Sequence, residues 1–420
     1  MIRATRTQWI KFAVVLALYL IFLVWLRSWL GLVVVPFIFD AYITKKIPWT
    51  WWRESKNRHV VTVMGWVDAI VFALVAVYFV NLYFFQNYVI PSSSLEKSLL
   101  TGDYLFVSKM SYGPRVPQTP LHMPLAQHTL PFFNCKSYLE HPQWDYKRVK
   151  GLGDVQLNDI VVFNFPAGDT VATGVPNDDI YRLSYGAGKE LAKPVDLASM
   201  TPEQQRVVYD YYYQLGREYL KENPQNFGEI ISRPVDRREN YVKRCVGLPG
   251  QTLEIKDRII YLDGKANKEP DNVQYRYLVK TKRPIPDDLA HELGISKEDM
   301  MMYYTDASVY NMPLTEKAKA GLLARKDIVV SIENTPADDA GGLYPLNMYK
   351  NWTTDNYGPV WIPKKGETVK LTIENLPVYE RPIHVYEGNE LAVKDGKIYI
   401  NGKETDEYTF KTVSYTHLRA

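Results

Sequence analysis

Two long stretches near the start of the chain carry almost no charge, and they constrain the fold more than anything else in the sequence. Phe12–Leu26 has no charged residue, and after Arg27 the apolar character resumes from Ser28 to Phe39. A second run, Ala69–Leu95, is also uncharged. A bilayer core of about 30 Å needs about 20 helical residues, so each stretch is long enough for one span. The expected organisation is a first transmembrane region over 1–40, a basic cytoplasmic loop over 41–65 and a second span at 66–85. Arg27 either snorkels or marks where the first helix ends and an interfacial segment begins. A cleaved signal peptide is the alternative for the first run, but no small-x-small site follows it. Trp66, Tyr78, Tyr83, Phe84, Phe85 and Tyr88 lie towards the ends of the second run, as an aromatic belt would.

The loop between the runs holds Lys45, Lys46, Arg53, Lys56 and Arg58 against Asp40 and Glu54. The positive-inside rule places it in the cytoplasm. With two spans, both termini and everything after Phe85 then lie outside. The basic N-terminus (Arg3, Arg6, Lys11) pulls against that arrangement.

The rest of the 420-residue chain is polar. Its 50 basic and 47 acidic residues leave a net charge of +3, too little basic surplus for a dedicated nucleic-acid binder. Two distant cysteines, Cys135 and Cys245, exclude a disulfide scaffold and a Cys-rich zinc site. None of the seven histidines has metal-ligand spacing, and Gly247-Leu-Pro-Gly250 lacks the Lys-Ser/Thr of a phosphate loop. No metal or cofactor is therefore expected.

From residue 90 onward, short runs rich in Val, Ile, Tyr and Thr alternate with turn signals, which reads as a mostly β domain. Asp263-Gly264, Asp395-Gly396 and Asn401-Gly402 are hairpin dipeptides. Leu253–Lys265 and Leu391–Lys403 share seven of thirteen residues, which suggests two similar hairpins. Helices are expected at Thr201–Glu222, with Thr201 as N-cap and Pro202 at the first position, and around Ser296–Met301.

Two segments carry candidate chemistry. The first is Ile90-Pro-Ser-Ser-Ser-Leu-Glu-Lys-Ser-Leu-Leu-Thr-Gly-Asp103. Taken alone it reads as a polar linker with serines as turn formers. The second is Arg238-Glu-Asn-Tyr-Val-Lys-Arg-Cys-Val-Gly-Leu-Pro-Gly250, where strand alternation places Tyr241, Lys243 and Cys245 on one face. A lysine among apolar neighbours must pair, snorkel or lose its charge.

Together these segments resemble the signature boxes of bacterial type I signal peptidase, a membrane-bound serine–lysine protease. The serine box, with Leu95 where the family has Met and Lys97 where it has Pro, is matched at Pro91–Asp103. Asn158-Asp-Ile-Val-Val-Phe-Asn-Phe-Pro166 is similar to the family's next strand, and Tyr241–Gln251 to its lysine box. The resemblance implies a signal-peptidase-like β fold after two N-terminal transmembrane helices. It implies Ser94 as nucleophile, Lys243 as general base, and Ser92 assisting the Ser94 N–H at the oxyanion. It assigns Ile90, Pro91, Leu95, Leu99, Tyr241 and Val242 to shallow apolar pockets for small residues. Such a lysine acts only when neutral, so burial must bring it down from about 10.4 towards 7–8. The implied partners are preprotein signal peptides, cut after Ala-x-Ala-like motifs, and the lipid bilayer. The implied location is the bacterial plasma membrane, with the catalytic domain on the extracytoplasmic side.

On this reading the catalytic β domain spans 86–265, a variable insertion 266–390, and a hairpin returning to the core 391–411. The family's last box, Gly-Asp-Asn-x-x-x-Ser-x-Asp-Ser-Arg, is absent from the sequence. Val413–Ala420 looks like a translated sequencing adapter, so 412–420 is expected to be an artefactual tail. Without a last box to support the lysine, the chain as written is expected to be poorly active or inactive. The rival readings are a membrane-anchored β-rich binding or scaffold protein and a catalytically dead paralogue. A soluble self-cleaving protease of the same clan fits less well, because apolar runs precede the serine.

Overall fold

The computed structural model describes residues 4–133, 135–166, 168, 170–176, 178–302, 304–306, 308–336, 343–346, 352–411 and 416–418. They fall into two units. One comprises Met1–Val89, Tyr104–Val155 and Pro234–Arg238; the other comprises Ile90–Asp103, Gln156–Arg233 and Glu239–Ala420.

In the first unit, helix Arg6–Leu26 opens on a capping box in which Thr5 and Gln8 satisfy each other's backbone N–H. It closes at Arg27, which adopts a left-handed conformation with φ 52°. Arg27 is thus a helix stop, not a charge inside a span. The chain then turns back on itself. A shorter apolar helical stretch, Leu30–Thr44, returns along the first helix. The Tyr19 hydroxyl donates to the Gly31 carbonyl at 2.7 Å, and Phe39 packs edge-on against Phe12 and Trp9 at 5.4 and 6.2 Å. The approach is close at Gly31, where a Cβ would lie 2.2 Å from the Leu23 side chain and force it to move. The Asp40 carboxylate fastens the far end, accepting from Thr44 Oγ1, the Lys46 and Ile47 N–H groups and Trp49 Nε1.

Helix Arg58–Tyr83, capped by Asn57, then runs parallel to the first. Their C-terminal turns meet through Phe22 against Phe79 and Tyr83, both at 5.2 Å. The Arg6–Leu26 and Arg58–Tyr83 helices have 21 and 26 residues, and both are long and apolar enough to cross a membrane. The second begins well before the expected residue 66 and ends at Tyr83. Reversal at Arg27 brings the start of the first helix to the same end as the 45–57 loop. Arg6, Lys11, Lys45, Lys46, Arg53, Lys56 and Arg58 therefore gather at one end, and the conflict between the two basic clusters disappears.

Strand Phe85–Val89 continues from the second long helix and pairs with Tyr104–Ser108. The 111–153 segment that follows is pinned by two buried residues. Asp236 Oδ2 accepts the N–H groups of Gln118 and Thr119 and the Thr119 hydroxyl, each at 3.0 Å. Arg237 donates to Thr119 Oγ1 at 2.6 Å and to the Gln127 carbonyl at 3.2 Å.

The second unit is built on short antiparallel sheets. Strand Asn240–Gly247 pairs with Ile160–Asn164 along its first half. Thr416–Leu418, within the segment expected to be artefactual, pairs with Gly247–Arg244 of the same strand; residues 412–415 and 419–420 lie outside the described residues. The two similar hairpins are present: Thr252–Lys256 with Ile259–Leu262, and Leu391–Lys394 with Lys397–Ile400. Each is followed by a second two-residue turn. Both central residues of each of the four turns have positive φ, as type I′ geometry requires.

The unit is less purely β than expected. Helix Pro202–Glu222 has the predicted Thr201 cap, and Lys297–Met302 lies close to its predicted place. Helix Ile180–Leu191, capped by Asp179, was not expected, although Ile180, Leu183, Ala187 and Leu191 recur along it at helical spacing. It packs on Pro202–Glu222 at backbone contact: a Cβ on Gly188 or Gly216 would lie 1.8 or 1.7 Å from a carbonyl oxygen of the other helix. Two ion pairs, Arg206–Glu380 and Arg381–Asp179, each with a contact of 2.5 Å, tie this helical hairpin to helix Leu376–Arg381.

The stretch 266–390 holds a folded subdomain with its own core. Strands Gln274–Thr281, Tyr304–Asp306, Val309–Thr315 and Val329–Asn334 are separated by helices Asp287–Glu292, Lys297–Met302 and Glu316–Ala324. In space the third strand lies between the second and the first, with the fourth on the first's other edge, all antiparallel. This is the split βαββαβ arrangement. Val279, Met312, Leu322 and Ile328 are fully buried in its core. Strand Tyr357–Trp361 then returns to pair with Thr252–Lys256.

Candidate active site

The serine segment, Ile90–Asp103, is a closed loop. Ile90 N–H donates to the Asp103 carbonyl and Gly102 N–H to the Ile90 carbonyl, at 3.0 and 2.9 Å. The Asp103 carboxylate accepts the Leu100 N–H at 2.8 Å. Gly102 has φ 93°, a conformation open to glycine at little cost. The Gly-Asp pair thus ties the loop shut. Inside it, a short helical turn Ser93–Leu95 presents Ser94, which is 6% exposed, while Leu95 fills the interior beneath at 2%.

The lysine segment is strand Asn240–Gly247. Register with Ile160–Asn164 places Lys243 opposite Val161. Tyr241, Lys243 and Cys245 share a face as expected. The Tyr241 ring stacks on Phe165 at 4.6 Å and lies 5.9 Å from Lys243 Nζ. Cys245 is fully buried, and burial pushes its thiol up from its ordinary value. Lys243 Nζ donates to Ser94 Oγ at 2.5 Å. Two residues 149 apart in sequence are therefore brought into hydrogen-bond contact, the spacing a nucleophile–base pair needs.

The Ser92 hydroxyl lies 3.5 Å from Ser94 Oγ, at the outer limit of a hydrogen bond. Of the proposed pocket residues, Ile90 and Leu95 are buried, Leu99, Tyr241 and Val242 half-buried and Pro91 exposed. Among the described residues no cluster of three or more His, Cys, Asp or Glu side chains is placed to hold a metal ion.

Sequence reasoning missed one connection. Arg244 donates through one guanidinium nitrogen to the Asn158 carbonyl at 2.9 Å and through the other to Ser98 Oγ at 3.0 Å. It therefore bonds the serine loop directly to the lysine strand. Adjacency to Lys243 was a clue, but strand alternation sends the two side chains to opposite faces, so pattern alone separates them.

The family model for signal peptidase, peptidase S26, matches residues 63–303. A Bacillus subtilis subsp. natto protein named signal peptidase I P is 20% identical over 279 residues, covering 66% of this chain and 90% of the relative. A Helicobacter pylori signal peptidase I is 42% identical over 56 residues, covering 13% of this chain and 18% of the relative. A Rickettsia prowazekii signal peptidase I is 24% identical over 165 residues, covering 36% of this chain and 56% of the relative. The chain thus spans most of one of these relatives and less than two thirds of the other two. No solved structure matches it significantly. With its family model covering more than half of the sequence, the chain belongs to the signal peptidase family, peptidase S26, and its relatives are type I signal peptidases.

Proposed function

We propose that the chain is a membrane-anchored endopeptidase that removes signal peptides from exported preproteins, cutting after small-x-small motifs. Ser94 is the nucleophile and Lys243 its general base. The observation that carries this reading is the 2.5 Å contact between Lys243 Nζ and Ser94 Oγ. A serine hydroxyl is a poor nucleophile until a neighbouring base takes its proton. Lys243 in its neutral form accepts that proton as Ser94 Oγ attacks the scissile carbonyl, and afterwards passes it to the departing amine. The Ser94 N–H and the Ser92 hydroxyl stabilise the negative charge that develops on the carbonyl oxygen. Leu99, Tyr241 and Val242 offer half-buried apolar surface near the dyad, suited to small side chains.

The gathering of basic residues at one end of the apolar helices supports a cytoplasmic location for that end. Their C-terminal ends then face the extracytoplasmic side. The test is cleavage of a purified preprotein carrying an Ala-x-Ala site by the chain in lipid vesicles. A cut directly after that motif, abolished by Ser94→Ala, is the expected result. Cleavage elsewhere, or cleavage that survives Ser94→Ala, would overturn the proposal.

A further inference from the structure

Between Arg115 and Lys136 the sequence contains no Asp, Glu, Lys or Arg. In the structure this stretch forms most of an irregular hairpin. Leu139 N–H donates to the Leu121 carbonyl, Met123 to Ser137, and Leu130 to Cys135, at 2.9, 2.7 and 2.9 Å. Its base is locked by the Asp236 and Arg237 bonds to Thr119. A hairpin held this firmly would ordinarily turn its apolar side chains inward. This one turns them outward. Phe132 and Phe133 at the tip are 101% and 79% exposed, and Leu121, Met123, Leu125 and Leu139 are each at least half exposed. An apolar patch of this extent normally marks a surface that meets something apolar.

The hairpin's position says what that is. The His122 ring packs against Tyr78 at 5.0 Å. Tyr78 is five residues before the end of helix Arg58–Tyr83, hence about 7.5 Å below its C-terminal end at 1.5 Å per residue. The base of the hairpin therefore lies alongside the last turns of an apolar helix, not beyond them. The chain that follows the hairpin meets the end of the other long helix. Trp25 Nε1 donates to the Lys150 carbonyl at 3.2 Å, and Lys147 Nζ to the Arg27 carbonyl at 2.7 Å.

We infer that the 119–139 hairpin is a lipid-inserting wedge whose Phe132 and Phe133 enter the interfacial zone of the bilayer leaflet reached by the C-terminal ends of the two long helices. This rests on the membrane-anchored reading above. Aromatic and aliphatic side chains at that depth lie among headgroups and upper acyl chains, where they are favoured. The absence of charge from Val116 to Cys135 suits that location, and the flanking Arg115 and Lys136 suit its polar edge.

Cys135 beside the tip is exposed and Cys245 is buried, so a thiol probe reports on the tip alone. The full chain is labelled with an environment-sensitive fluorophore and reconstituted into phosphatidylcholine–phosphatidylglycerol vesicles; a Cys135→Ala chain serves as the labelling blank. Fluorescence is expected to be quenched at least twofold more by lipids brominated high on the acyl chain than by aqueous iodide. Phe132→Ser with Phe133→Ser should reverse that preference while leaving the thermal unfolding midpoint unchanged, because neither ring is buried in the protein. Stronger quenching by iodide would overturn the inference, and so would shielding from both quenchers, which would indicate a protein partner or a second copy. Alkaline carbonate extraction separates the two levels. Release of the chain from the vesicles defeats the membrane-anchored reading itself, whereas retention with a water-exposed probe defeats only the wedge.

Discussion

Replacing Lys243 by Met tests the dyad with the least collateral change. Methionine keeps an unbranched stem of similar length, so packing against Tyr241 is retained and only the amine is lost. The structure sets the expected size of the effect. Ser94 is 6% exposed and its hydroxyl is in contact with Lys243 Nζ at 2.5 Å, so bulk water is poorly placed to act as a substitute base. A positioned general base contributes about 10²–10⁴-fold. We expect the upper half of that range, a loss of about 10³-fold or more, which corresponds to about 4 kcal/mol at 1.36 kcal/mol per decade. Groups that act as one unit are strongly non-additive. The double variant Ser94→Ala with Lys243→Met should therefore be at most about threefold slower than the worse single variant. The assay is single-turnover cleavage of a preprotein with enzyme in excess, which reads the chemical step even when it is slow. Rates are referred to the parent chain ending at the same residue. A Lys243→Met rate within tenfold of the parent would refute the assignment of the base. So would a double variant whose losses multiply, because two independent contributions are not a dyad.

Further expectations concern the surroundings of the site. Arg244→Lys keeps the charge but cannot span from the Asn158 carbonyl to Ser98 Oγ; it should lower kcat by about 10-fold with KM little changed, and Ser98→Ala should add little on top. Lys97 occupies a left-handed conformation with φ 67°. Lys97→Gly should raise the unfolding free energy or leave it within about 1 kcal/mol, whereas Lys97→Pro, whose ring fixes φ near −65°, should disrupt the serine loop and abolish cleavage. Lys109, in the other unit, is pushed down to about 8 from 10.5 by burial, with Arg115 and Arg148 adding to the effect. Between those values the unfolded chain binds more protons than the folded one, so this residue makes stability rise with pH from 8 to 10.5, and the contribution is lost as pH falls through 8. Across that window the total rise in unfolding free energy, measured by denaturant unfolding, should be smaller in Lys109→Met than in the parent by on the order of 1–3 kcal/mol.

The serine box taken alone read as a polar linker, and it became legible only beside the lysine box, because the two contiguous runs together resemble the signature boxes of one family. A Gly-Asp pair closes one loop, and alternation puts Lys243 on a defined face of the other strand. Three of the four type I′ turns were legible, since Asp-Gly and Asn-Gly encode positive φ directly, whereas the fourth, Asp257-Arg258, carries no glycine to mark it. Helix Pro202–Glu222 was read from its cap, whereas Ile180–Leu191 was passed over although its Asp179 cap and its apolar spacing are both in the sequence. Gly186 and Gly188 mask it by lowering helix propensity, and Gly188 is there because the partner helix packs at backbone contact. The split βαββαβ subdomain within 266–390 was invisible because its strands pair across the order 2-3-1-4, and no local pattern encodes which strand lies beside which. The Arg244–Ser98 bond has the same character, joining residues 146 apart.

Two positions show how one dihedral angle alters what a pattern means. Arg27 reads as a charge stranded in an apolar run, and Lys97 as a departure from a proline in the serine box. Both are non-glycine residues with positive φ, 52° and 67°. At Arg27 the left-handed turn ends the helix and lets Leu30–Thr44 fold back, and this reversal, not the hydropathy, decides the end at which the N-terminus lies. Counting two apolar runs left out the turn between them, and with it the fold-back that brings the start of the first helix to the end where the 45–57 loop lies. At Lys97 a proline is excluded by geometry, so the loop cannot have the backbone path that a proline at this position would impose. The loop nonetheless delivers Ser94 to Lys243, because Leu95 holds its interior and Asp103 its ends. The serine's placement therefore depends on closure at the two ends and a filled centre, and not on a proline at position 97.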